Sequence, residues 1–274
     1  MVYVFIVLAF CFCSYVTYLI FFWQWKKSCQ PFYNKEETLI LGHRGSPTLM
    51  TENTIPSFQQ AIEQGVDGIE LDIRLSKDKQ IVVFHDKDLK RMSNRTEQIK
   101  DLSLSELQTV VLHKQKGQLD DVYIPSLNDI LPLLKDIGLI NIEIKSDWLL
   151  QGHGIITPLI IFLNKHQIDD KCIISSFNPL ILMLLRIRRP ETVIGFLYNK
   201  KRIFHRWDNM IWMLRVQPEN LHIHYSLLDS WVVKWARKKG MRINSYTIND
   251  RDIYHKAKAE GLNGVFTDNI EYLK

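Results

Sequence analysis

Short apolar runs alternate with amphipathic stretches from residue 38 to the end of the chain. Each apolar run has the length of a buried strand, and each amphipathic stretch has the apolar spacing of a helix that packs on one face. Eight strands alternating with helices predict an α/β fold, the (β/α)8 TIM barrel. The predicted strands are Thr38–Leu41, Gly68–Ile73, Leu139–Ile144, Cys172–Ser175, Val193–Leu197, Asn220–Ile223, Arg242–Thr247 and Gly264–Thr267. The predicted helices between them are Pro56–Gln64, Ser126–Lys135, Ile155–Lys165, Pro179–Arg188, Trp207–Val216, Ser230–Lys239 and Arg251–Ala259.

One further apolar run, Ile81–Phe84, does not fit the eightfold alternation. Only the polar turn Ser76–Gln80 separates it from the strand before it, whereas a parallel crossover needs about a dozen residues. We therefore predict an antiparallel hairpin that returns His85 to the barrel mouth. The polar stretch that follows, residues 87–122, is expected to be a short insertion with one helix at Ser103–Val111.

The first 25 residues carry no charged side chain, and Val2–Trp23 is almost wholly apolar. As a helix this run would reach about 33 Å, enough to cross a bilayer core of about 30 Å. It lacks the charged start and the cleavage site of a signal peptide, and its apolar residues lie on all sides, unlike those of a buried soluble helix. We expect a transmembrane helix over residues 1–25 that contacts membrane lipid, a linker over residues 26–37 and one barrel domain over residues 38–274.

Charge and cysteine content narrow the class of protein further. Lys26 and Lys27 follow the predicted span, which favours a single-pass membrane protein with its barrel in the cytoplasm. The net charge of +5 is too mild to indicate nucleic-acid binding, although it suits anionic lipid surfaces or phosphate substrates. Cys172 is the only cysteine beyond residue 37, so a disulfide framework in the barrel is excluded.

Charged side chains gather at the ends of the predicted strands. Glu70 and Asp72 are two residues apart, as are Glu143 and Lys145, and side chains at this spacing share one face of a strand. Apolar residues alternate with the acids, which places the acids on the barrel interior, where an unpaired charge is costly. Carboxylate oxygens are the ligands that Mg²⁺ and Ca²⁺ prefer. The pattern favours a hard-metal site that handles a phosphate over surface or salt-bridged acids.

Histidines and cations near these acids have two interpretations each. His43 and His85 both fall at predicted strand ends, where a pair could give and take a proton near neutral pH, although a single histidine there is more often structural. Arg44 and Lys145 could hold a phosphate, balance the carboxylates, or do both. His222 and His224 share one side of a strand and could reach the mouth, but a structural role is the more common one for such pairs.

The chemistry-bearing residues, taken in order, resemble the glycerophosphodiester phosphodiesterase family from end to end. Any one motif is weak, but the ordered set is specific. The motifs are His43-Arg44-Gly45, Glu52-Asn53-Thr54, Glu70-Leu71-Asp72, His85-Asp86, Pro125-Ser126-Leu127, Glu143-Ile144-Lys145, Ser175-Ser176-Phe177 and Gly264-Val265-Phe266-Thr267-Asp268. The resemblance implies a phospholipase C-like phosphodiesterase barrel, one divalent cation (Mg²⁺ or Ca²⁺) and two catalytic histidines.

The resemblance also implies a role for each matching residue. The implied general acid and base are His43 and His85. The implied metal ligands are Glu70, Asp72 and Glu143. Arg44 and Lys145 match groups that hold the phosphate, and Glu52 matches an active-site acid. Tyr246 stands where the family often has Trp, which is expected to alter the wall next to the alcohol, and the short insertion is expected to leave the mouth open to bulkier substrates.

The expected function is metal-dependent hydrolysis of glycerophosphodiesters to glycerol 3-phosphate and an alcohol. A lysophospholipase D that acts on membrane lysophospholipids is the alternative within the class, and the predicted anchor favours it slightly. An inactive barrel that binds lipid head groups is the alternative of another class, and it predicts the loss of a site residue. The resemblance implies a cyclic phosphate intermediate, but the sequence alone does not distinguish this path from direct attack by water.

Overall fold

Eight parallel strands close into a barrel in the computed structural model, which describes residues 2–21, 30–33, 37–115, 117–135, 137–198 and 205–274. Hydrogen bonds link the strands in the order β1-β9-β8-β7-β6-β5-β4-β2, and β1 also pairs with β2, which closes the ring. The strands are β1 Leu39–His43, β2 Gly68–Leu75, β3 Ile81–Val83, β4 Leu139–Ile144, β5 Cys172–Ser176, β6 Ile194–Tyr198, β7 Asn220–His224, β8 Arg242–Tyr246 and β9 Gly264–Thr267. The predicted barrel is confirmed.

Helices follow most of the strands and cover the outside of the sheet. Their apolar faces pack on the outward side chains of β2, Ile69, Leu71 and Ile73, while Glu70 and Asp72 point inward. The helices are α1 Val2–Phe21, α2 Ile55–Glu63, α3 Leu104–Leu107, α4 Leu127–Ile130, α5 Ile156–His166, α6 Pro179–Arg188, α7 His205–Val216, α8 Trp231–Lys238, α9 Arg251–Ala259 and α10 Ile270–Leu273.

Two helices are shorter than the sequence pattern predicts. The helix expected over Ser126–Lys135 ends at Ile130 and continues only as a 3₁₀ turn over Leu133–Lys135. Pro132 explains the break, because it lacks a backbone N–H and disfavours helical geometry in the residue before it. The helix expected over Ser103–Val111 is reduced to α3, since β-branched residues follow its first turn.

The predicted hairpin is confirmed, because β3 runs antiparallel to β2. The insertion that follows differs from the polar excursion that the sequence suggests, since it encloses a small apolar core with residues of β3. This second core is separate from the main one between the barrel and its helices. Its buried members are Val82, Phe84, Leu89, Met92, Ile99, Leu102, Leu107, Val110, Leu112, Val122 and Ile124.

The amino-terminal segment forms α1, but the predicted membrane span is not supported. Within the described residues, no helix has the combined length and apolarity needed to cross a bilayer. Lys26 and Lys27, on which the cytoplasmic orientation was based, lie outside the described residues. The localisation and the domain boundaries at residues 25, 37 and 87–122 therefore stay predictions.

The turn after β1 carries two of the predicted site residues, and Gly45 makes it possible. Gly45 has a φ of +89°, and a Cβ atom there would lie 2.6 Å from the carbonyl carbon of Ser57. Ser57 Oγ in turn donates a hydrogen bond of 2.9 Å to the carbonyl oxygen of Arg44. The close approach of α2 thus fixes the backbone that presents His43 and Arg44.

We predict that Gly45→Ala destabilises the protein more than Gly117→Ala, which is a matched control. Gly117 has a φ of +94°, but a Cβ atom there would meet nothing within 4 Å. Both changes carry the strain of a positive φ, whereas only Gly45→Ala overpacks against backbone, at a cost of about 1–3 kcal/mol. Urea unfolding should show this difference in the free energy of unfolding, and equal effects would contradict the packing explanation.

Candidate active site

The register of three neighbouring strands brings the predicted metal ligands together. On β4, Glu143 lies opposite Asp72 of β2, and on β1, His43 lies opposite Glu70 of β2. The three acids are buried, and one ligand oxygen from each lies within 4.8 Å of the others. Two oxygens on opposite sides of one Ca²⁺ ion are at most about 5 Å apart. The cluster therefore has the size and the donor chemistry of a hard-cation site.

Lys145 and Arg44 offset the negative charge of this cluster. Lys145 Nζ lies 2.6 Å from Glu143 Oε1 and 2.8 Å from Asp72 Oδ1, and Arg44 Nε lies 3.1 Å from Asp72 Oδ2. The Arg44 backbone N–H also donates to Glu70 Oε2 at 3.0 Å. The two cations thus balance the acids, and the same positions at the cavity wall also suit them to contact a phosphate.

The three carboxyl groups differ in how strongly the neighbouring Lys145 and Arg44 stabilise their ionised form. Burial would raise the pKa of Asp72, but Lys145 and Arg44 outweigh it and keep that pKa well below its usual range. Burial, together with the neighbouring acids, raises the pKa of Glu70 well above its usual range. Burial also raises the pKa of Glu143 despite its contact with Lys145.

Glu70 carries the clearest sign of a missing positive partner. Its Oε1 atom is buried and accepts no hydrogen bond from any residue that the structure describes. A buried carboxylate oxygen without a donor is costly. A divalent cation bound by Glu70, Asp72 and Glu143 would remove this cost, so the residues present fit an oxygen-ligated ion.

Each predicted catalytic histidine pairs with an aspartate through the same ring atom. His43 Nδ1 lies 2.7 Å from Asp268 Oδ1, and His85 Nδ1 lies 2.6 Å from Asp86 Oδ1. An ionised carboxylate only accepts hydrogen bonds, so each Nδ1 carries the hydrogen and each Nε2 is left for chemistry. His43 Nε2 lies 3.9 Å from Glu70 Oε2, at the edge of the acid cluster.

Asp268 is a functional residue to which the sequence analysis assigned no role. Asn249 fixes its orientation, because Asn249 Nδ2 donates to Asp268 Oδ2 at 2.8 Å and Asn249 Oδ1 accepts from the Asp268 backbone N–H at 2.8 Å. Its position directly after β9 is the signal that could have found it, since the other site residues also follow or end barrel strands.

Arg91 is a second residue that the sequence analysis missed. It extends from the insertion and donates from Nε to Asp86 Oδ2 at 2.6 Å and from Nη2 to Glu52 Oε1 at 2.6 Å. Glu52 also accepts from Arg44 Nη1 at 2.9 Å. Glu52 therefore links the insertion to the site through two arginines. Desolvation would raise the pKa of Glu52, but these two partners hold it below its usual value.

Most of the predicted site residues line one cavity of about 160 Å³ at the barrel mouth. Its lining combines charged side chains with the apolar or aromatic side chains of Phe177, Leu197, Tyr246 and Phe266. The Tyr246 hydroxyl donates to the carbonyl oxygen of Tyr198 at 3.0 Å, so the Tyr246 ring is anchored to the barrel. The cavity can therefore take a molecule that carries both an anionic group and a less polar group.

The predicted site residues differ in whether they line this cavity. The cavity lining includes His43, Arg44, Glu70, His85, Glu143, Lys145 and Tyr246 of the predicted set. Asp72 lies behind the lining within the acid cluster, and Glu52 contacts the site only through arginines. His222 lines the cavity, whereas the His224 ring lies against Tyr225 with ring centroids 4.3 Å apart.

Comparison with known proteins supports the family resemblance that the sequence motifs indicate. The sequence model of the Glycerophosphoryl diester phosphodiesterase family matches residues 43–272. A glycerophosphodiester phosphodiesterase from Caldanaerobacter subterraneus subsp. tengcongensis is 33% identical over 239 residues, which cover 86% of this chain and 96% of that protein. A lysophospholipase D from Rattus norvegicus is 24% identical over 266 residues, which cover 85% of this chain and 84% of that protein.

A solved structure shares both the fold and a measurable sequence identity. It is a phosphodiesterase from Oleispira antarctica in complex with the product sn-glycerol-3-phosphate. The two structures superpose with a TM-score of 0.74 at 27% identity, over 86% of this chain and 95% of that chain. The family resemblance drawn from the ordered motifs is confirmed by these matches. The chain belongs to the glycerophosphoryl diester phosphodiesterase family.

Proposed function

We propose that this phosphodiesterase hydrolyses glycerophosphodiesters to glycerol 3-phosphate and an alcohol, with a divalent cation and two histidines. The observation that carries the proposal is the convergence of a three-carboxylate cluster and two aspartate-paired imidazoles on one cavity. The product complex of the Oleispira antarctica relative supports the choice of substrate class.

The proposed cation is Mg²⁺ or Ca²⁺, held by Glu70, Asp72 and Glu143. When bound, such an ion polarises a phosphoryl oxygen and offsets the charge of the phosphodiester. Arg44 and Lys145 line the same cavity, and their charge would draw the phosphate toward the acid cluster. A phosphodiester repels nucleophiles through its own negative charge, so this concentration of positive charge is what makes attack feasible.

The two imidazoles divide the proton transfers between them. Burial and the nearby Lys145 lower the pKa of His85 to about 4, so this ring is neutral at pH 7 and can accept a proton at Nε2. His43 Nδ1 lies 2.7 Å from Asp268 Oδ1, and its Nε2 lies 3.9 Å from Glu70 Oε2. In the proposal His85 deprotonates the attacking oxygen and His43 protonates the leaving alcohol.

The attacking oxygen is proposed to be the glycerol hydroxyl next to phosphorus. The alcohol then leaves, a cyclic phosphate forms, and water opens it while the two histidines exchange roles. Direct attack by water uses the same residues and is the alternative path. Slowing the water step and looking for the cyclic phosphate by ³¹P NMR distinguishes the two paths.

A lysophospholipase D activity is the second candidate. The similarity to the Rattus norvegicus lysophospholipase D favours it, as do the apolar residues in the cavity lining, of which Phe177 is 44% exposed. An acyl chain would need such a surface, whereas a deacylated diester would not. An inactive head-group binding barrel is less well supported, because no residue of the implied site is lost and most of these residues line one cavity.

We predict that the wild type releases choline from glycerophosphocholine and that EDTA abolishes this activity. His43→Ala should lower kcat by about 100-fold or more, because a positioned acid or base contributes at least that factor. His255→Ala, which removes an exposed histidine of α9, is the control. Binding of the diester without choline release in the presence of Mg²⁺ or Ca²⁺ would favour the inactive barrel, and faster turnover of lysophosphatidylcholine would favour the lysophospholipase D.

We predict that Mg²⁺ or Ca²⁺ raises the melting temperature of the wild type but not of Glu70→Gln. The exposed Glu271→Gln is the matched control and should respond as the wild type does. Because the pKa values of Glu70 and Glu143 are raised, protons compete with the ion, so the rise should shrink as the pH is lowered. An unchanged response of Glu70→Gln in differential scanning calorimetry would remove Glu70 from the metal site.

We predict that Asp268→Asn lowers kcat by about 100-fold while the metal-induced rise in melting temperature is kept. An asparagine amide can donate to Nδ1 and so stabilise the wrong tautomer of His43, which leaves the metal ligands untouched. Asp229→Asn, which breaks an exposed ion pair with Lys256, is the control. Unchanged kcat in Asp268→Asn would show that His43 needs no orienting partner.

A further inference from the structure

The inner end of the cavity contains a histidine that the proposed chemistry does not use. His222 on β7 is completely buried and lines the cavity, but neither of its ring nitrogens has a hydrogen-bond partner among the described residues. Burial lowers its pKa to about 3, so the ring is neutral and offers one donor and one acceptor. A buried polar group without partners costs about 1–3 kcal/mol, which calls for a ligand group beside it.

The neighbouring strand is shaped to hold this ring. A Cβ atom on Gly195 of β6 would lie only 2.6 Å from His222 Cε1 and 2.8 Å from Nε2. On the other side, the Phe266 ring lies with its centroid 5.1 Å from that of His222. The absence of a side chain at Gly195 leaves room for the imidazole, and the tilted contact with the Phe266 ring helps to hold it at the cavity wall.

Asn141 supplies a second polar group in the lining of the same cavity. It is buried on β4, lines the cavity, and donates from Nδ2 to Ser175 Oγ at 3.0 Å. Its Oδ1 atom accepts no hydrogen bond from the part of the chain that the structure describes. Asn141 precedes Glu143 by two residues on the same strand face, so it lies about 7 Å deeper in the barrel than Glu143 and opposite Glu70 of β2.

The separation between Glu143 and Asn141 along the strand matches the length of a glycerol unit whose phosphate lies beside Glu143. The terminal hydroxyl of glycerol can donate one hydrogen bond and accept another. A neutral imidazole and an amide oxygen offer the complementary groups. The leaving alcohol would then face the open, partly apolar mouth, where Phe177 and Tyr246 lie.

We propose that His222 and Asn141 form a polar floor that binds the terminal hydroxyl of the glyceryl unit and selects glyceryl phosphodiesters. This inference rests on the proposed function and deepens it. A site built to hydrogen-bond a hydroxyl rejects an analogue without it, because the buried polar groups are then left unpaired. Neither residue takes part in proton transfer, so both act on substrate choice.

The test compares two substrates on the wild type, His222→Leu, His222→Gln and Asn141→Ala. One substrate is glycerophosphocholine, and the other is the analogue in which the terminal hydroxyl is replaced by hydrogen while the hydroxyl next to phosphorus is kept. The wild type should prefer glycerophosphocholine by about 10- to 100-fold in kcat/KM. His222→Leu and Asn141→Ala should lower this preference, mostly through kcat/KM for glycerophosphocholine, and His222→Gln should keep part of it.

Two controls separate substrate recognition from a purely structural role. His224→Leu removes the other histidine of β7, whose ring lies against Tyr225, and should keep the full preference. The rise in melting temperature with Ca²⁺ should be the same in His222→Leu and in the wild type if the acid cluster is intact. Equal kcat/KM of the wild type for both substrates, or an equal loss on both substrates in His222→Leu, would overturn the inference. A wild type inactive toward both would refute the proposed function and this inference with it.

Discussion

The mutual repulsion of three buried carboxylates is the constraint on which the rest of this structure depends. Glu70, Asp72 and Glu143 lie within 4.8 Å of one another in a buried environment, where like charges repel strongly. The fold accepts this arrangement because Lys145 and Arg44 contact the acids and because Asn53 Nδ2 donates to Asp72 Oδ2 at 2.8 Å. The negative charge is balanced least well at Glu70, whose buried Oε1 accepts no hydrogen bond from the described residues, so a bound cation would stabilise the site most there.

Charged and polar side chains surround the acid cluster in fixed orientations. The two histidines lie at its edge, and an aspartate on the far side of each ring fixes which nitrogen carries the hydrogen. Arg91 and Glu52 tie the insertion to this arrangement, so a segment outside the barrel holds Asp86 in place. Because each of the two proposed catalytic histidines has an orienting partner, the proposed site is pre-organised rather than assembled by the substrate.

The barrel and the core of the site follow from local sequence features, whereas the contacts between distant segments do not. The alternation of Ile69, Leu71 and Ile73 with acids placed Glu70 and Asp72 inside the barrel, and parallel register then placed Glu143 beside them. Arg91 has no such local signal, because its partner Glu52 is 39 residues away and the insertion packs on its own apolar core. The role proposed for His222 depends on the close approach of Gly195 on a neighbouring strand, which no pattern within β7 reveals.

Anomalous diffraction from a crystal grown with Mn²⁺ would locate the cation directly, since carboxylate sites that suit Mg²⁺ or Ca²⁺ also accept Mn²⁺. The structure predicts one peak at about 2.0–2.6 Å from an oxygen of each of Glu70, Asp72 and Glu143, with Nε2 of His43 and His85 facing the same cavity. A fully occupied ion elsewhere, or acid side chains turned away from one another with no peak between them, would contradict it.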